Sequence, residues 1–262
     1  MIYVNLCNML GKTNTYIIGL LCTILYGLCI GSFLNVVIYR LPLKESLVKR
    51  ESHCVKCNKE IKWYDNIPVI SFILLRGKCR NCGCKISIQY PIVELLNTIL
   101  WVFIYLRYGW SIETLLYFVL SSILVCISFI DEKTYEIPMC LNILMGILGI
   151  VNIIININTW YEYIIGAFCI SIPLFIIWFF TNGMGFGDVK LMFFAGFLLG
   201  WKKIIPSFLI GCILAIIIHI VRMKISGKGS KLAFGPYLSI GIYLGLFIGL
   251  PLMNFYLTLI GM

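Results

Sequence analysis

Residues 16–39 form an apolar run without one charged side chain. Seven more apolar segments follow, at roughly 91–107, 112–130, 137–155, 161–181, 189–200, 204–222 and 234–259. A helix that crosses a bilayer needs about 20 mainly apolar residues. Inside hydrocarbon each backbone N–H and C=O must be satisfied within the chain, which leaves helices as the elements such segments can form. The expectation is an all-α polytopic membrane protein with about eight transmembrane helices. The sixth segment is short and the last is long and Gly-rich, so seven or nine spans are the neighbouring alternatives. A chain that is 61% hydrophobic and 12% charged, with mean hydropathy +0.98, excludes a soluble globular fold. The first segment is too long for a signal-peptide core and lacks a small-x-small cleavage site, so it is expected to stay in place.

A net charge of +10 invites a nucleic-acid reading, but the distribution argues against it. Eleven of the 21 Lys and Arg residues fall between Arg40 and Lys85, and four more between Arg222 and Lys231. In an eight-span arrangement Lys133 and Lys190 join them on one side, leaving Lys12, Arg107, Lys202 and Lys203 on the other. Positive charge in short loops marks the cytoplasmic face. The basic surface therefore reads as orientation and contact with anionic membrane lipid, with no nucleic-acid partner. The expected division is an N-terminal transmembrane helix (1–40), a cytoplasmic island (41–89) and a transmembrane domain (90–262).

Five of the twelve cysteines lie in the 41–89 island. Cys54-x2-Cys57 and Cys79-x2-Cys82 are 21 residues apart, with Cys84 just beyond. Two such knuckles can surround a tetrahedral zinc ion with four thiolates. A redox pair and a metal-free module are the competing readings, but disulfides do not persist in a reducing cytosol. Four protein ligands leave no open position, so the metal would be structural. Cys84 is an alternative to Cys82 as ligand, although the usual spacing favours Cys82. His53, next to Cys54, is a further donor to weigh against four available thiols.

Asp131 closes one apolar run, and Asp188 sits in Gly-Met-Gly-Phe-Gly-Asp-Val-Lys (183–190) and opens another. A carboxylate at hydrocarbon depth is costly and usually faces protein or water. Each alone could cap a helix or pair with a lysine. Asp188, however, follows glycines at 183, 185 and 187, and Pro138 shortly after Asp131 suits a helix start. Both carboxyls would then reach one membrane face. If they converge they share one proton near neutrality, one carboxylate activating water while its protonated partner polarises a carbonyl.

Taken together these motifs resemble the type IV prepilin peptidases, a family of inner-membrane GxGD-type aspartic peptidases. The likeness runs through Gly-Ser-Phe-Leu-Asn-Val-Val-Ile-Tyr-Arg-Leu-Pro (31–42), both cysteine pairs and Trp-Tyr-Asp-Asn-Ile-Pro-Val-Ile-Ser (63–71). It continues through Leu-Leu-Arg-Gly-Lys-Cys-Arg-Asn-Cys-Gly (74–83), Ile-Ser-Ile-Gln-Tyr-Pro-Ile-Val-Glu (86–94), Gly-Phe-Gly-Asp-Val-Lys-Leu (185–191) and Phe-Gly-Pro-Tyr-Leu (234–238).

The resemblance implies a catalytic dyad of Asp131 and Asp188, with Gly185, Gly187, Lys190 and Pro138 shaping the site or binding substrate. It implies zinc on Cys54, Cys57, Cys79 and Cys82. It also implies removal of a basic leader from type IV prepilins or pseudopilins of pilus, secretion or competence systems, at a Gly–Phe type bond on the cytoplasmic side. Many members then methylate the new N-terminus with S-adenosylmethionine, for which Asn35 and Glu94 are candidates, with helix packing as their alternative role. Val55 stands where the family often has Pro, and Met139 where Asp or Asn is common. A zinc-stapled scaffold and a proton-coupled transporter using the two aspartates are the competing functional classes.

Overall fold

The computed structural model describes residues 2–47, 53–54, 56–181, 183–226 and 232–261. Val55, and Lys49, Arg50, Lys228 and Lys231 of the charge pattern, lie outside the described residues. Each of the eight apolar segments is a helix: α1 (Ile2–Arg40), α3 (Gln89–Tyr108), α4 (Ile112–Thr134), α5 (Met139–Ile155), α6 (Trp160–Thr181), α7 (Phe186–Leu199), α8 (Trp201–Ser226) and α9 (Gly235–Ile260). A short α2 (Ile70–Leu74) lies within the island, and among the described residues there is no strand, just two isolated bridges.

Among the described residues, six helices are long and apolar enough to cross a membrane: Asn14–Arg40 of α1, then α3, α4, α6 (from Ile157), α8 (to Lys224) and α9. The remaining two are shorter. At 17 residues α5 extends about 25 Å, and at 14 residues α7 extends about 21 Å, against a hydrocarbon core of about 30 Å. The all-α expectation holds, with six helices of spanning length and one shorter apolar helix, α5, among the described residues.

Backbone contacts divide the chain into two compact units, Met1–Ser122 and Ile123–Met262. In the first, α1 and α3 run antiparallel with their backbones close together. The contact face of α1 repeats every four residues through Gly19, Thr23, Gly27, Gly31 and Asn35. A side chain at Gly31 would stand 2.7 Å from the Glu94 Cα, and one at Gly27 3.0 Å from the Thr98 Cα. Small residues at this spacing let helices approach where the hydrophobic effect supplies no drive between them. Polar side chains then join the helices: Asn97 donates to the Gly27 carbonyl (2.9 Å), Ser122 to Asn97 Oδ1 (2.8 Å), and Trp101 Nε1 to Ser122 Oγ (3.1 Å). Trp101 also stacks on Phe118 at 4.5 Å between ring centres.

In the second unit α5 and α7 lie side by side and parallel, with Ile137 near Gly187, Gly146 near Phe194 and Gly149 near Phe197. Asn152 ties the far end by donating to the Leu198 carbonyl (2.9 Å). The antiparallel pair α8–α9 meets along Gly241, Gly245 and Gly249 of α9, another four-residue repeat of small residues. Gly200, at φ +78°, ends α7 and lets α8 start at the next residue. This arrangement brings the N-termini of α5, α7 and α9 to one end of the unit.

Candidate active site and metal centre

Asp131 lies in the last turn of α4 and is 5% exposed. Its Oδ2 accepts the backbone N–H of Gly235, the first residue of α9, at 2.9 Å. A helix N-terminus carries unpaired N–H groups and partial positive charge, which suits a carboxylate. Gly235 is the residue type the contact demands: a Cβ there would sit 2.6 Å from Asp131 Oδ2 and 3.0 Å from Cγ.

Asp188 is 7% exposed and lies in the first turn of α7. The residue capping α7 is Gly185, whose carbonyl accepts the Asp188 N–H at 3.1 Å, so Asp188 is inside the helix and does not cap it. The two carboxyl groups are near enough for the charge of Asp131 to act on Asp188. The segment that follows Asp131 closes the arrangement, since a Cβ at Gly187 would meet the Ile137 Cβ at 3.2 Å. Gly185 has more room, with 3.4 Å between such a Cβ and Asp188 Oδ2. Pro138 is the residue preceding the first turn of α5, in extended conformation (φ −62°, ψ 128°). Lys190 holds its ammonium 4.6 Å from the centre of the Phe186 ring, a cation–π contact on the first turn of α7.

From the sequence, Phe-Gly-Pro (234–236) either lines a substrate groove or begins the last span, and neither role includes the contact of Gly235 with Asp131. A glycine just ahead of a helix-starting proline was the available signal. Chemically, the site offers two buried carboxyls of unlike surroundings, one anchored on α9 and one on α7. That is the equipment of a paired acid and base.

In the first unit the island folds as two matching knuckles. Cys54 N–H donates to the Lys59 carbonyl and Asn58 N–H to the Cys54 carbonyl; Cys79 to Cys84 and Gly83 to Cys79 repeat both bonds. The bridges His53–Glu60 and Lys78–Lys85 close each knuckle in the same register. The residue after each second cysteine, Asn58 or Gly83, has positive φ (54° and 68°), as the tight reversal requires.

Four thiols come within 4.8 Å of one another: Cys54, Cys79, Cys82 and Cys84. This group differs from the expected set, since Cys84 is in it and Cys57 is not. Cys57 belongs by spacing to the first C-x2-C pair and adjoins the group through Cys54. The N–H of Cys57 directed at the Cys54 sulfur lowers that thiol to about 6, while contact with the Cys82 sulfur pushes Cys84 up to about 12. The cage can hold a metal ion. Beside it Arg80 grips Asp65 through three hydrogen bonds of 2.6, 2.8 and 3.1 Å and keeps that carboxyl below its usual range.

Asn35 and Glu94 are both buried on the α1–α3 face. Asn35 donates to the Tyr90 carbonyl (3.0 Å), and Glu94 Oε2 accepts the Val69 N–H (2.7 Å). Val69 has φ +60°, a strained region for a β-branched residue, and Ile70 N–H closes a three-residue turn onto the Pro68 carbonyl. Glu94 thereby ties the island to α3, a contact that no local sequence signal announces.

Residues 25–108 match the bacterial peptidase A24 N-terminal domain, and residues 118–220 match the type IV leader peptidase family. Among curated relatives, a protein of Neisseria gonorrhoeae is 34% identical over 82% of this chain and 85% of its own length. One of Pseudomonas aeruginosa is 31% identical over 92% and 94%, respectively. One of Myxococcus xanthus is 33% identical over 77% of this chain, which spans 62% of that relative. All three are named prepilin leader peptidase/N-methyltransferase. No solved structure matches the chain.

Proposed function

Since the chain belongs to the type IV leader peptidase family, we propose that it is a multi-pass inner-membrane aspartic endopeptidase that removes the basic leader from type IV prepilins or pseudopilins. The observation that carries this reading is the buried pair Asp131 and Asp188, brought to one end of the second unit by the starts of α9 and α7. The lysine and arginine pattern supports a cytoplasmic position for that end.

In the reaction, one carboxylate takes a proton from water as the oxygen attacks the carbonyl carbon of a Gly–Phe type bond. The protonated partner donates to the carbonyl oxygen. Collapse of the tetrahedral species breaks the C–N bond, and the proton held by the first carboxyl passes to the leaving amine. No covalent enzyme intermediate forms. Gly185, Gly187 and Pro138 set the backbone around the dyad, and Lys190 with Phe186 borders it.

The second activity is N-methylation of the amine so released. S-adenosylmethionine would supply the methyl group. Glu94 offers a buried carboxylate of the sign that complements a sulfonium, and Asn35, bonded to the α3 backbone, lies on the face of α1 that packs against α3. In the island, the thiol cage fits zinc by donor type and number, and the ion would fold the module without taking part in hydrolysis. The test is to incubate the purified chain with a prepilin in liposomes. A product lacking the leader, and heavier by one methyl group when S-adenosylmethionine is present, is expected. An intact prepilin would refute the peptidase reading.

A further inference from the structure

The island holds more thiols than a tetrahedral ion can use. Zinc–sulfur bonds of about 2.3 Å in a tetrahedron put the sulfurs about 3.8 Å apart. The Sγ separations here bracket that figure: Cys54–Cys82 3.9 Å, Cys54–Cys84 3.5 Å and Cys82–Cys84 3.2 Å. Cys79 completes this group. Cys57, the second cysteine of the first C-x2-C pair, lies outside this set, and Cys84 stands against Cys54 and Cys82 in its place. Cys57 and Cys84 are thus two occupants for one corner.

The matching knuckles explain why the surplus exists on one side. Cys84 is the residue whose carbonyl accepts the Cys79 N–H, and its counterpart in the first knuckle is Lys59. Gly83, at φ +68°, reverses the chain directly after Cys82, and the Cys84 sulfur lies against that of Cys82. The first knuckle has the same reversal at Asn58 but no thiol after it.

Resting on the zinc reading above, we propose that the metal site has five thiols for four positions: Cys54, Cys79 and Cys82 ligate throughout, and Cys57 and Cys84 exchange in the fourth. Loss of either exchanging thiol leaves a complete tetrathiolate site. Loss of both leaves three sulfurs.

The test uses the full-length chain in detergent, as wild type, Cys57→Ser, Cys84→Ser, the double variant and Cys79→Ser. Zinc content is measured, and after exchange to cobalt(II) the sulfur-to-metal absorption reports the number of thiolates. Wild type and both exchanging single variants should hold about one metal per chain with tetrathiolate spectra. The double variant and Cys79→Ser should each lose one thiolate's share of the intensity. In the unmutated zinc-loaded protein, brief alkylation followed by peptide mass analysis should mark Cys57 and Cys84, each in a fraction of molecules, and spare the other three. A three-thiolate spectrum for Cys57→Ser with Cys84→Ser unchanged, or label on Cys84 alone, overturns the proposal and leaves the two C-x2-C pairs as ligands. The reverse pattern also overturns it, by making Cys84 a fixed ligand. Wild type without zinc sinks the zinc reading itself, an outcome distinct from either of these.

Discussion

Gly235 donates its backbone N–H to Asp131 Oδ2 across 2.9 Å, and any side chain at Gly235 would stand 2.6 Å from that same oxygen. The start of α9 therefore both orients the carboxyl and leaves room for it. Gly235→Ala should displace Asp131 while leaving the helices in place. A displacement near 1 Å at a reacting group costs on the order of 100-fold in rate. Leader cleavage by the alanine variant, at equal membrane abundance, should fall by that order, with KM little changed.

A dyad that works with one carboxylate and one carboxylic acid has two essential protonation states. Protonation of the water-activating group removes the base on the acid side, and ionisation of its partner removes the acid on the alkaline side. The pH profile of kcat/KM for a prepilin in liposomes should be bell-shaped. A single sigmoid would reduce the chemistry to one essential carboxyl.

Glu94 belongs to the first unit, and its link to Val69 separates two effects. Glu94→Gln retains an oxygen acceptor for the Val69 N–H but removes the negative charge. It should preserve leader cleavage and reduce methylation, read as the mass of the mature N-terminus. Glu94→Ala also leaves that N–H without its acceptor, at about 1–3 kcal/mol where the group is shielded from water. The alanine variant should therefore unfold at lower temperature than the glutamine variant.

The glycine ladder of α1 makes a plainer structural prediction. A methyl group at Gly31 would lie 2.7 Å from the Glu94 Cα, and α3 would have to move away. Gly31→Ala should destabilise the first unit by about 1–3 kcal/mol, the usual scale for overpacking. Thermal unfolding in detergent, followed by the fluorescence of Trp101 and its neighbours, measures it.

The helices were legible because hydropathy is local: every apolar segment became a helix, with limits within about four residues of those expected except for α1, which begins at Ile2, ahead of the apolar run at 16. The four-residue repeat from Gly19 to Asn35 went unread inside its apolar run, because which face of α1 meets a neighbour is set by α3. What could not be read were relations set by distant elements. Asp131 and Asp188 announced their depth through their flanking runs, but their nearness depends on α5 and α7 lying parallel. Gly235 matters because α9 starts beside the end of α4, 104 residues earlier in the chain. At the cysteines, spacing favoured the paired knuckles, while the turn at Gly83 brought in Cys84. The spacing offered Cys84 merely as an alternative to Cys82, two positions farther on, whereas the fold places both in one cluster.

The claim on which the rest depends is that Asp131 and Asp188 act together on the leader peptide bond. The most direct measurement is co-expression of a prepilin with wild type, Asp131→Asn or Asp188→Asn, with leader loss followed by N-terminal sequencing of the product. Asparagine keeps the size of each side chain and removes its titratable group. Each variant should leave the prepilin unprocessed while accumulating in the membrane at the wild-type level. Processing at the wild-type rate by either variant would contradict the dyad.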